Sequence, residues 1–87
     1  MRVRANQKYI FYPNMIDRIH ACTSLVPGSI VTVVRMPGCP PPNTMQHAHV
    51  EYDGRFAGLV HTNSLHSMKD KQLVIDAIKR DLAKAAQ

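Results

Sequence analysis

His47-Ala48-His49-Val50-Glu51-Tyr52-Asp53-Gly54-Arg55-Phe56-Ala57-Gly58-Leu59-Val60-His61 reads as two strands joined by a tight turn. Successive side chains of a strand point to opposite faces, so Ala48, Val50 and Tyr52 share one face and His47, His49 and Glu51 the other. Asp53-Gly54 is the turn: a type I′ hairpin needs positive φ at both central residues, which this pair tolerates. Phe56 to His61 is the returning strand.

Working outward from this hairpin, Ile30-Val31-Thr32-Val33-Val34-Arg35 is a β-branched run and the clearest further strand. Leu25-Val26-Pro27-Gly28-Ser29 leads into it with the Pro-Gly pair of a type II turn. Lys8-Tyr9-Ile10-Phe11-Tyr12 is a strand stopped by Pro13-Asn14. Between them, Met15, Ile16, Ile19 and Cys22 fit one helical face with Asn14 as N-cap. The segment is too short for an independent helix and reads as one helical turn or an ordered loop. Residues 36–46 hold Pro37, Gly38, Pro40, Pro41 and Pro42 and read as a long, partly polyproline loop, because proline has no amide to give a ladder. Downstream, Thr62-Asn63-Ser64 is a turn and Leu65-His66 a last short strand or 3-10 turn. Ser67 then caps a helix over residues 69–86, with Asp70 in the capping-box position. Leu73, Val74, Ala77, Ile78, Leu82 and Ala85 form an apolar stripe that must dock, either on the chain's own sheet or on a second copy in a homodimer.

The order of elements is the plan of a small, bent antiparallel barrel. Pro27 to Val33 resembles the diverging turn and strand of SH3-like barrels. Val50 to Val60 followed by Asn63 and Leu65 resembles their distal hairpin and closing turn. The resemblance spans residues 25–66 and implies a mainly β (α+β) fold: a small SH3-like antiparallel barrel over residues 1–66 carrying a C-terminal amphipathic helix over 67–87, in one domain. The acidic loop residues and tandem Trp of peptide-binding SH3 domains are missing, so proline-peptide recognition does not carry over. The fold hosts many functions and selects none.

Eighty-seven residues suit a single domain, and the apolar share of 45% argues against disorder. With no Trp and few aromatics, the core must come largely from Val, Ile, Leu and Met. Two cysteines, Cys22 and Cys39, make no secreted disulfide scaffold. No apolar run is long enough to span a bilayer, and the N-terminal residues lack the core of a signal peptide. A cytoplasmic protein with free thiols is the expectation.

The formal charge of +5 favours polyanionic partners. Arg2, Arg4 and Lys8 cluster near the start, Arg35 ends a strand, and Arg55 sits at the hairpin tip beside Phe56. These five are the candidate nucleic-acid contacts, meeting phosphates while Tyr52 and Phe56 stack on bases. The competing reading, and the favoured one, makes Tyr52 and Phe56 core residues, because so few rings are available to fill the interior. The second partner class is a protein, bound by the proline loop through Met36, Cys39, Pro41 and Met45 and by the C-terminal helix.

Of the five histidines, His47 and His49 share a strand face and His61 lies on the pairing strand, so a three-histidine metal site is conceivable if the register allows. Its spacing matches no zinc motif, and solvated strand histidines are the commoner arrangement, so no metal or cofactor is expected. Cys22 or Cys39 beside His20 or His61 lacks the spacing of an activated nucleophile, and no glycine-rich phosphate loop is present. The expectation is a non-enzymatic binding module, for nucleic acid first and for a protein second.

Overall fold

The structure, a computed structural model, describes residues 3–20, 24–39 and 46–85. Arg2, Cys22, Pro41 and Met45 lie outside these residues. Five strands form one antiparallel sheet: β1 (Lys8–Phe11), β2 (Ile30–Val34), β3 (His47–Tyr52), β4 (Arg55–His61) and β5 (Leu65–Ser67), in spatial order β4-β3-β2-β1-β5. Two helices accompany it, α1 (Met15–His20) and α2 (Lys71–Ala85). A 3-10 turn over Thr62–Ser64 joins β4 to β5, and a second over Met68–Asp70 leads into α2. The mainly-β class with a C-terminal helix is as the sequence implies. The sheet is not closed into a barrel: β4 and β5 are its two ends, and no ladder joins them.

Period-two alternation builds the core. Tyr9, Phe11, Val31, Val33, Ala48, Val50, Val60 and Leu65 point to the inner face and pack into one cluster with Val3. The expected turns are present. Asp53 and Gly54 have φ of 54° and 75°, the two positive values of a type I′ turn. In the Val26–Ser29 turn the Ser29 amide donates to the Val26 carbonyl at 3.2 Å, with Gly28 at φ 92° in the type II position.

One irregularity was not legible in the sequence. Val50 pairs with Gly58 but Glu51 pairs with Phe56, so Ala57 is an extra residue in β4, and Gly58 bends the chain at φ 123°. In a regular ladder Phe56 would face inward opposite Tyr52. The bulge rotates it outward opposite Glu51, and Ala57 packs against the core instead.

The α1 segment is a true helix rather than a single turn, because two side chains tie it down. The Asn14 side-chain carbonyl accepts from the Asp17 amide at 2.9 Å, the N-cap bond that the sequence implies. The buried Asp17 carboxylate accepts from the outward His61 amide at 3.1 Å and from the hydroxyl of fully buried Ser64. The same hydroxyl accepts from the Asn14 amide at 2.9 Å. Asp17 thus bonds to the end of β4 and to the turn that leads into β5, at the place where the sheet stays open.

The second helix lies against β5 and Tyr12, the residue just past β1. Val74, Ala77 and Ile78 face inward, while Leu73 and Leu82, 68% and 65% exposed, flank this seam on either side. The stripe therefore docks on its own sheet through its centre and leaves both margins in solvent; its last member, Ala85, has no described side chain. Tyr12 donates its hydroxyl to the Asp81 carboxylate, and Arg18 bonds the same oxygen at 3.3 Å while its guanidinium lies 5.3 Å from the Tyr12 ring centre. The hydrogen bond to Asp81, with burial and the adjacent negative charge, raises the Tyr12 phenol above its ordinary 10.0. That bond, and then Arg18, holds Asp81 below its ordinary 3.8.

Two expectations follow. Gly28→Ala destabilises the protein by about 1–2 kcal/mol or more, since its φ of 92° strains an L side chain and the new Cβ would meet Ile78 Cδ1 at 3.0 Å. Gly38→Ala, at φ 81° with nothing within 4 Å, should cost less in the same urea titration; equal losses would mean that α2 does not press on the Gly28 turn. The depressed Asp81 stabilises the fold above its unfolded pKa, and this contribution fades as pH falls below about 3.9. The raised Tyr12 contributes below its unfolded pKa near 10, and this fades as pH rises through the higher folded value. Alkaline titration by tyrosinate absorbance should show a late component that Asp81→Ala removes, and superimposed curves would show that the contact is not made.

Candidate nucleic-acid interface

The N-terminal segment folds back on the sheet through backbone bonds. The Asn6 amide donates to Val33 O at 2.7 Å, with Asn6 itself at φ 64°, and the Val33 amide donates to Gln7 O at 3.0 Å. The Tyr9 hydroxyl accepts from the Arg4 amide at 2.9 Å and donates to Gln7 Oε1 at 3.3 Å. These bonds set Arg4 beside the start of β1. Across β1 the strand β5 ends at Ser67, whose hydroxyl caps the second 3-10 turn by accepting from the Lys69 amide at 3.2 Å.

Between these two segments lies an open hollow of about 430 Å³, whose lining includes Arg4, Lys8 and Lys69 and no carboxylate. Sequence reading named Arg4 and Lys8 but missed Lys69. Lys69 reads as one more charge at a helix start, and only the β1–β5 pairing of Tyr9 with Ser67 brings that start beside Arg4.

Lys8 also belongs to the outer sheet face. Register sets Lys8 opposite Thr32, Thr32 opposite Glu51 and Glu51 opposite Phe56, one row across four strands. At strand spacings near 4.8 Å the row is roughly 14 Å wide. Phe56 is 57% exposed and its ring centre lies 6.0 Å from that of His49, at 32°. Tyr52 at the hairpin tip is 46% exposed. The assignment of both rings to the core is therefore wrong. The bulge turns Phe56 outward, and Tyr52 sits at the tip, past the packed layer.

The four expected basic contacts among the described residues do not form one patch. Arg4 and Lys8 share the hollow; Arg35, exposed after β2, lies at the same end of the sheet. Arg55 pairs with Tyr52 in the row next to that of Lys8, but on β4, three strands across the sheet from β1. Glu51 is the row's single carboxylate. It repels phosphate and suits the amino group of a base.

The histidines separate as well. His47 and His61 pair across strands with ring centres 5.2 Å apart, but His49 turns to Phe56. No group of three His, Cys, Asp or Glu side chains able to hold a metal forms among the described residues. His61 Nδ1 accepts from the Asn63 amide at 3.1 Å, so the ring caps the turn, and Asp17 meets the His61 backbone rather than its imidazole. Asp17, His61 and Ser64 therefore do not form a relay to a nucleophile. Of the proposed partner-binding residues, Met36 and half-buried Cys39 close a turn in which the Cys39 amide donates to Met36 O at 3.1 Å, and Cys39 is a free thiol. No helix among the described residues is long and apolar enough to cross a membrane.

No protein family, curated protein or solved structure matches this chain.

Because Phe56 stands clear of the core, Phe56→Ala should change unfolding free energy by no more than about 0.5 kcal/mol. Val60→Ala, on the same strand but in the packed layer, should lose about 1–3 kcal/mol. A comparable loss in both variants would return Phe56 to the interior.

Proposed function

We propose that this chain is a non-enzymatic module that binds single-stranded nucleic acid across the outer face of β1 to β4. The observation that carries the reading is that one cross-strand row holds both the Lys8 cation and the exposed Phe56 ring. Bases stack on Phe56 and His49, which lie nearly side by side, and phosphates meet Lys8 and the basic end of the sheet. Stacking of this kind requires unpaired bases, whose faces are free, and so favours single strands over a duplex. The Glu51 carboxylate keeps phosphate off the middle of the row and turns base edges toward it. The surplus of eleven Lys and Arg over six Asp and Glu steers the polyanion in. Such a role belongs in the cytoplasm, where Cys39 stays reduced.

Fluorescence anisotropy with single-stranded oligonucleotides tests this. Affinity should fall by about 0.7 log units per log unit of salt for each phosphate neutralised. Phe56→Ala should weaken binding by about 1–3 kcal/mol, the worth of one base stacked on a ring. Absence of binding at low salt, or binding indifferent to both salt and Phe56→Ala, would sink the proposal.

A further inference from the structure

The hollow beside Lys8 differs from the rest of the interface in shape and charge. The sheet row is flat and carries one cation and one carboxylate. The hollow is an open concavity whose lining holds three basic residues and no carboxylate. An internal phosphodiester carries a single negative charge, whereas a phosphate monoester carries roughly 1.5 to 2 at pH 7 and offers three acceptor oxygens. Arg4, Lys8 and Lys69 supply more than enough positive charge and N–H donors to neutralise a monoester and bond its three oxygens.

The surroundings favour a chain end for a second reason. A strand that follows the row from Phe56 toward Lys8 arrives at the hollow from the sheet face. Its far side is formed by Ser67, Met68 and Lys69, where β5 stops and the 3-10 turn leads into α2. Beyond Lys8 along the outer face, Ile10 is already buried, and its cross-strand partner His66 lines a separate hollow with Val74 of α2. The helix thus covers the route along β1. Buried Tyr9 also lines the hollow, but its hydroxyl is already committed to Arg4 and Gln7, which leaves the basic residues as the groups of opposite charge to a phosphate.

We infer that the Arg4–Lys8–Lys69 hollow is a receptor for the terminal phosphate monoester of a single-stranded nucleic acid, and that the sheet row binds the nucleotides next to that end. This rests on the function proposed above. It adds that the module recognises an end rather than the interior of a strand.

The test uses the full chain and one single-stranded RNA sequence in three forms, with a 5′-phosphate, with a 3′-phosphate, or with hydroxyls at both ends. One of the two phosphorylated forms should bind about tenfold tighter than the hydroxyl form, as expected of one added charge-assisted contact. The identity of that form gives the polarity of the strand on the sheet. In Lys69→Gln and Arg4→Gln the ratio between phosphate-ended and hydroxyl-ended affinities should fall toward one, with circular dichroism confirming the fold. Millimolar inorganic phosphate should erase the same preference in the unsubstituted protein. Measurable binding with equal affinity for all three forms overturns the terminal receptor and leaves the nucleic-acid module standing. A substitution that weakens all forms equally also overturns it, since the hollow would then hold internal phosphates. Failure of every form to bind at low salt overturns both.

Discussion

The ladder between β3 and β4 carries the constraint on which the rest of the molecule depends. A chain this short has few apolar side chains to bury, and they are spaced two apart so that one sheet face becomes the interior. Val60 and Gly58 keep that phase against Ala48 and Val50, and then Ala57 breaks it. The break gives Ala57 to the core and Phe56 to the surface. A regular strand would have set the ring on the inner side, opposite Tyr52. The bulge sets an exposed ring on the outer face, and that ring defines the proposed interface.

Two carboxylates hold the helices in place around this sheet, and they work in different environments. Asp17 is buried and fully engaged: its oxygens meet the His61 amide and the Ser64 hydroxyl, so each burial of a polar group is matched by a partner. It ties α1 to the corner where the sheet does not close. Asp81 stands 45% exposed and is shared between Tyr12 and Arg18, linking α2 to the end of β1 and to α1. The first contact owes its strength to exclusion of water and the second depends on pH, as the opposed shifts of Tyr12 and Asp81 show. With α2 fixed in this way, Lys69 at its approach is held beside Arg4 and Lys8.

The basic residues show how topology redistributes charge. In the sequence, Arg55 stands beside Phe56 and far from Arg4, which invites a single cationic hairpin tip. In the fold the tip is on the β4 edge and the basic hollow lies by β1 and β5, across the sheet, with Phe56 linked to Lys8 through a row of paired residues. Arg4 and Lys69, some sixty positions apart in the chain, become neighbours because β5 returns to pair with β1. The histidines were dispersed by the same logic: pairing joined His47 to His61, while the bulge gave His49 an aromatic neighbour.

The sequence by itself determined the strands, the turns and the core-facing residues. These depend on local physics: alternation in Ile30–Val34 and His47–Tyr52, positive φ at Gly28, Asp53 and Gly54, and Asn14 as an N-cap. It also determined that the C-terminal helix has a stripe to bury. Only the tertiary structure decided which part of that stripe docks, that the sheet stays open where Asp17 closes the corner, and that Phe56 faces outward. Those outcomes depend on pairings between distant segments. A one-residue bulge leaves no clear mark in composition or periodicity, yet it reverses the face of every side chain beyond it. The candidate site was legible in its residue types and not in its assembly, because charge is written along the chain and a binding surface is made by register.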